Sequence, residues 1–136
     1  MEKTIIGFKE NVLVGINGKT YKFTATMDTG NAGHTPTLGV KQLLYHNKKL
    51  NIILYDNTEI IKENLGELTP MVGNVMHYRP IINLDFLEIK GKRIENVNCA
   101  ITDQRHKTTQ MLINRNIMSQ MNFIVDPSID NINGGA

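Results

Sequence analysis

One cysteine, Cys99, stands among 136 residues. No internal disulfide can form, and a lone thiol fits a reducing compartment. Its apolar neighbours predict a buried, inert thiol rather than a nucleophile. Charge of one sign is also scarce: 15 Lys and Arg against 13 Asp and Glu leave a net +2. That is too little to argue for a nucleic-acid partner. The short clusters at Lys48-Lys49, Lys90 to Arg93 and Arg105 to Lys107 have no interleaved aromatics. No run approaches the ~20 apolar residues that span a bilayer, so no membrane partner is expected. Glu2 and Lys3 ahead of a very short apolar run do not read as a signal peptide. His34, His46, His77 and His106 are scattered without a His-x-x-x-His or Cys-x-x-Cys spacing, so no metal is expected. No glycine loop is built to cradle phosphate, and Ser119 and Ser128 lack a nucleophile motif. No cofactor is expected. The expected location is cytoplasmic, with the virion as the alternative.

What is present is β patterning. Val12, Val14 and Ile16 alternate within Asn11 to Ile16, and Asn17-Gly18 follows as a type I′ hairpin turn. Lys19 to Met27 alternates again, with Tyr21, Phe23, Ala25 and Met27 on one face. Further strands are expected at Leu50 to Leu54, Glu59 to Ile61, Pro80 to Ile89, Ile94 to Ile101, Met111 to Ile113 and Phe123 to Val125. Gly91-Lys92 is the expected turn of the long hairpin, and Asn116 to Met121 a short helix. Lys62 to Met76, with Gly66, Pro70 and Gly73, has no clean period and reads as irregular. The expected organisation is an N-terminal segment 1–10, one mostly-β, barrel-like domain at 11–128, and a flexible tail 129–136.

The hairpin delivers Met27-Asp28-Thr29-Gly30 to a loop. A carboxylate on a tight loop, a small hydroxyl beside it and a glycine that permits close approach suit acid–base chemistry. Taken alone, the same tripeptide is far more often an ordinary turn. Three other stretches give it company: the feeder hairpin around Asn17-Gly18-Lys19, Met111 to Asn116 ahead of the short helix, and Phe123-Ile124-Val125-Asp126-Pro127-Ser128. With Arg79-Pro80-Ile81-Ile82 and Thr102-Asp103-Gln104-Arg105 in the same order, the chain resembles the retropepsin-like aspartic proteases. It is most similar to the bacterial and phage RimB-like branch labelled "ATP-dependent zinc protease". The likeness spans roughly residues 11 to 128.

That resemblance implies a retropepsin-like β-barrel and a homodimer in which each chain gives one Asp28-Thr29-Gly30 loop. Two Asp28 carboxylates at a two-fold axis would share one proton, activate water and hydrolyse a peptide bond in a peptide or protein substrate. Thr29 would brace the two loops, Gly30 would admit the peptide, and Arg115 would reach back to support the active-site loop. A flap is implied within Leu50 to Met76, with Gly66 and Gly73 as pivots. Three positions depart from the family pattern: Asn31 stands where Ala is usual, His34 near a position where Ser or Thr is common, and Asn114 where Gly is usual before Arg115. These departures make a second expectation respectable, a catalytically silent fold used as an interaction or assembly module.

Overall fold

The structure, a computed structural model, describes residues 2–69, 71–72, 74–103 and 109–132. The strands are β1 (Thr4–Ile16), β2 (Lys19–Asp28), β3 (Thr37–Gly39), β4 (Gln42–His46), β5 (Lys49–Ile53) and β6 (Glu59–Glu63). They continue as β7 (Glu67–Leu68), β8 (Met71–Val72), β9 (Val75–Met76), β10 (Arg79–Ile89), β11 (Lys92–Thr102), β12 (Met111–Asn114) and β13 (Phe123–Asp130). The single helix among the described residues, α1 (Arg115–Gln120), follows β12 directly.

The main sheet runs β13-β1-β2-β12-β3-β11-β10-β7, and β1 also pairs with β10. That closure makes a six-stranded mixed barrel of β1, β2, β12, β3, β11 and β10. The fold is a mostly-β single domain, as the alternation predicts. Closure removes most of the sheet edges that would otherwise stand open to other chains. Two of its pairings are parallel: β12 on β2, and β11 on β3. A second, three-stranded sheet β4-β5-β6 sends Leu50, Ile52 and Ile60 into the same core as Val12, Val14, Ile82 and Leu84.

The first hairpin forms as its sequence dictates. Asn17 and Gly18 take φ 54° and 77°, the two positive values that a type I′ turn needs. The Asn17 side chain donates to Ile61 O at 3.0 Å, tying this hairpin to the smaller sheet. The long hairpin turns one residue earlier than expected. Lys90 and Gly91 carry the positive φ values, and Ile89 pairs with Lys92. Across the barrel seam Gly15 faces Phe86. A Cβ on Gly15 would lie 2.3 Å from that ring, so the aromatic occupies the space glycine leaves. Arg93 covers the other side of the ring, 3.7 Å from its centre.

Two boundaries differ from expectation. Residues 4–10 are not a separate segment; they are the first half of β1, which pairs with β13 in parallel and with β2. Residues 129–132 are not a loose tail, since Ile129 packs against Gly7 and Asn131 N donates to Lys9 O at 3.1 Å. The sequence hides this because a bulge shifts the β1–β13 register between Gly7 and Lys9. The bulge is held by Glu10, a buried carboxylate that accepts from Gly7 N at 2.6 Å and from the Asn131 side chain. The short β3 and β4 were also not foreseen; the three residues of β3 show no measurable period.

Replacing Glu10 with Ala strands the buried Gly7 N–H and releases Asn131. The expected loss is about 1–3 kcal/mol in denaturant unfolding. Unchanged stability would show that the bulge needs no carboxylate.

Candidate functional site

Asp28 is the last residue of β2, and Asn114 is the last residue of β12. The parallel register sets them side by side as Cα partners. Both strand ends are pinned in that register. At the far end, Gln110 lends its side-chain carbonyl to Thr24 N at 2.8 Å, and its own N–H donates to Thr24 O at 3.1 Å. The Thr26 and Thr109 hydroxyls bond at 2.8 Å one step along.

Beyond Asp28 the chain makes a tight turn closed by Asn31 N donating to Asp28 O at 3.2 Å. Thr29 and Gly30, its central residues, are exposed, and the Asp28 side chain is half-buried. Among the described residues, no side-chain partner is found for Asp28 or Thr29. A Cβ on Gly30 would meet only Asp28 Oδ1, at 3.7 Å. Nothing among the described residues therefore requires glycine there. Gly33 is different: a Cβ there would lie 3.0 Å from Asn31 Oδ1 and 3.1 Å from Asn114 Nδ2.

Two of the positions that depart from the pattern of the resembled proteases, Asn31 and Asn114, touch each other. Asn31 Oδ1 accepts from Gly33 N at 2.8 Å and from Asn114 Nδ2 at 3.3 Å. Because a backbone N–H fixes the identity of the Asn31 oxygen, the Asn114 atom facing it must be the amide nitrogen. The Asn114 oxygen then points elsewhere, buried and without a partner among the described residues. Asn114 itself is 4% exposed.

Arg115 supports the loop by its backbone, not its guanidinium. Its N–H donates to Asn31 O at 3.1 Å, while its side chain is exposed. The side-chain support comes from Asn116, which sequence reasoning missed. Its amide donates to Ala32 O and, at 3.1 Å, to Gly33 O. The signal available was a third Asn in Asn114-Arg115-Asn116, spaced to reach one loop from the start of a helix.

The remaining candidates separate cleanly. Cys99 is fully buried, and burial pushes its thiol up to about 12. Gly66 is anchored, since Ile81 N donates to its carbonyl at 3.0 Å. Gly73, the other expected pivot, lies outside the described residues, as do Pro70, Gln104, Arg105, His106 and Lys107. The hairpin β8–β9 pairs Met71 with Met76 and Val72 with Val75, and joins neither larger sheet. Among the described residues, no group of three His, Cys, Asp or Glu is placed to hold a metal. No helix among them is long and apolar enough to cross a membrane.

No family model matches this chain, and no curated protein matches it by sequence. Among solved structures, it is similar to a structural-genomics crystal structure of a Legionella pneumophila protein of unknown function (DUF785). The two share 17% identity and superpose with a TM-score of 0.69, over 93% of this chain and 95% of that one. The likeness is one of fold. At that identity it carries the barrel and its connections, and no activity.

Two outcomes follow from this geometry. Asn116→Ala removes both bonds to the 32–33 backbone, with an expected cost of about 1–2 kcal/mol and faster amide exchange at Arg115. Undiminished protection at Arg115 would show that α1 does not hold the loop. Native Cys99 should stay unreactive toward a thiol reagent at pH 8 and react fully on unfolding; rapid native labelling would contradict its burial.

Proposed function

We propose that the chain is a retropepsin-like aspartic endopeptidase that works as a homodimer, each copy supplying one Asp28-Thr29-Gly30 turn. The observation that carries this reading is the isolation of that turn within its own chain. A half-buried carboxylate, an exposed hydroxyl and an exposed glycine stand at the end of a barrel strand, braced from behind and with no side-chain partner among the described residues. A two-fold axis through the turn gives each of the three a use. The paired Asp28 carboxylates cannot both ionise cheaply at hydrogen-bond distance, so the pair holds one proton over a broad acidic range. The ionised member takes a proton from water, and the protonated member donates to the scissile carbonyl oxygen. Thr29 can bond to its copy across the axis. Gly30 leaves room for the substrate backbone. The hairpin β8–β9, standing apart from both sheets, is the element available to close over a bound peptide.

A second reading has its own observation. The Asn31–Asn114 amide pair fills space beside the turn, where the family pattern has a methyl and a hydrogen. A site filled in this way suits a silent fold kept for assembly. The two readings diverge on substitution. The peptidase reading expects cleavage of a peptide library between pH 4 and 7, with Asp28→Asn lowering the rate by at least 10³-fold while fold and dimer persist. If wild type and Asp28→Asn are equally inert, and the double variant Asn31→Ala, Asn114→Gly gains activity, the silent reading holds.

A further inference from the structure

Away from the Asp28 turn, a polar pocket of about 110 Å³ opens between the start of β10, the end of β11 and β4. Tyr45, His77, Tyr78, Arg79, Thr102 and Asp103 line it. We propose that this pocket binds a carboxylate group, received by the Arg79 guanidinium.

Arg79 is half-buried, and its Nε is fully shielded from solvent with no hydrogen-bond partner among the described residues. All 13 Asp and Glu residues of the chain lie among the described ones. None forms an ion pair with Arg79; the ion pair found among the described residues joins Arg93 to Glu88 at 3.0 Å. Asp103 lines the same pocket but does not close on the guanidinium. The side chains outside the described residues add no Asp or Glu, so they bring no carboxylate either.

A half-buried cation whose Nε is shielded and unpartnered is under-solvated, a smaller form of the cost that makes broken buried ion pairs expensive. Burial already drives the Arg79 guanidinium below its usual range, with no neighbouring charge acting in compensation. An anion from outside the chain would restore the balance. The planar guanidinium fork matches a carboxylate in shape, and the pair can form two parallel bonds. The volume admits a terminal or side-chain carboxylate with a few attached atoms, not a large ligand. Burial first, then the charges of Glu67 and Asp103, raise the Tyr45 hydroxyl above its usual range. Tyr45 is thus held as a neutral donor. Asp103 at the rim has the opposite effect on a carboxylate, and weakens its binding.

This inference does not rest on the Asp28 reading, and the test can use Asp28→Asn as well as the wild type. The probe is N-acetylglycine, followed by the backbone amide resonances of the pocket residues Tyr78 and Thr102 in the ¹⁵N-labelled chain, which remain observable when Arg79 is replaced. Saturable shifts in the millimolar range are expected, equal in both proteins. Arg79→Lys should weaken binding about tenfold and Arg79→Gln abolish it, while Asp103→Asn tightens it. Two short peptides then distinguish the source of the group: one with a free C-terminus, and one C-amidated with an internal Glu. Whichever is recognised names the source, and a peptide carrying neither carboxylate should not bind. No saturable shift up to about 100 mM, or equal binding by folded Arg79→Gln, would overturn the proposal. Equal binding of the carboxylate-free peptide would overturn it too.

Discussion

The parallel pairing of β2 with β12 is the constraint from which the rest of the structure follows. It joins segments far apart in sequence, and it must be right to the residue. A slip of one would turn Ala25 and Met27 out of the core and would separate Asp28 from Asn114. Short parallel strands of four residues hold register weakly by themselves. This chain adds polar clamps at both ends, Gln110 and Thr109 on one side and the Asn31, Asn114 and Asn116 amides on the other. Between the clamps, Met111 and Ile113 are fully buried. Apolar burial supplies the cohesion and the amides supply the register.

That division explains why the site sits where it does. The apolar pattern of β2 ends at Met27, so the next residue is free of packing duty. Asp28 emerges half-exposed on a backbone that neighbouring strands hold rigid. The loop after it is held by the Asn31 and Asn116 side-chain amides and by the Arg115 N–H, and a Cβ on Gly33 would press on the Asn31 and Asn114 amides. Gly30 is not crowded: a Cβ there would meet only Asp28 Oδ1, at ordinary contact distance.

Much of this was legible in the residues. Period-two alternation gave the two long hairpins, and Asn17-Gly18 gave its turn type, because these signals are local. The helix after β12 was found to within a residue at each end. Long-range features were hidden. The first half of β1 is kept in place by a bulge and by Glu10, and a lone Glu in a polar stretch reads as solvated. β3 is too short to have a period and exists because two neighbouring strands offer it partners. At the site, Asp28, Thr29 and Gly30 were picked from their order in one short run. The contact between Asn31 and Asn114 joins neighbouring strand ends that lie 83 residues apart in sequence, so two apparent single departures were visible and their pairing was not. Arg115 was implied by the resemblance, while Asn116, outside that motif, makes the side-chain contacts to the loop.

The central claim is that the Asp28 turn is completed by a second copy of itself. Thr29→Cys tests it most directly, since the native thiol, Cys99, is buried and silent. Under mild oxidation, a turn that meets its copy at a two-fold axis should give a disulfide-linked dimer far faster than a Lys19→Cys control on the exposed hairpin. Cross-linking no faster than the control, in a chain that stays folded, would place the turns apart and contradict the account.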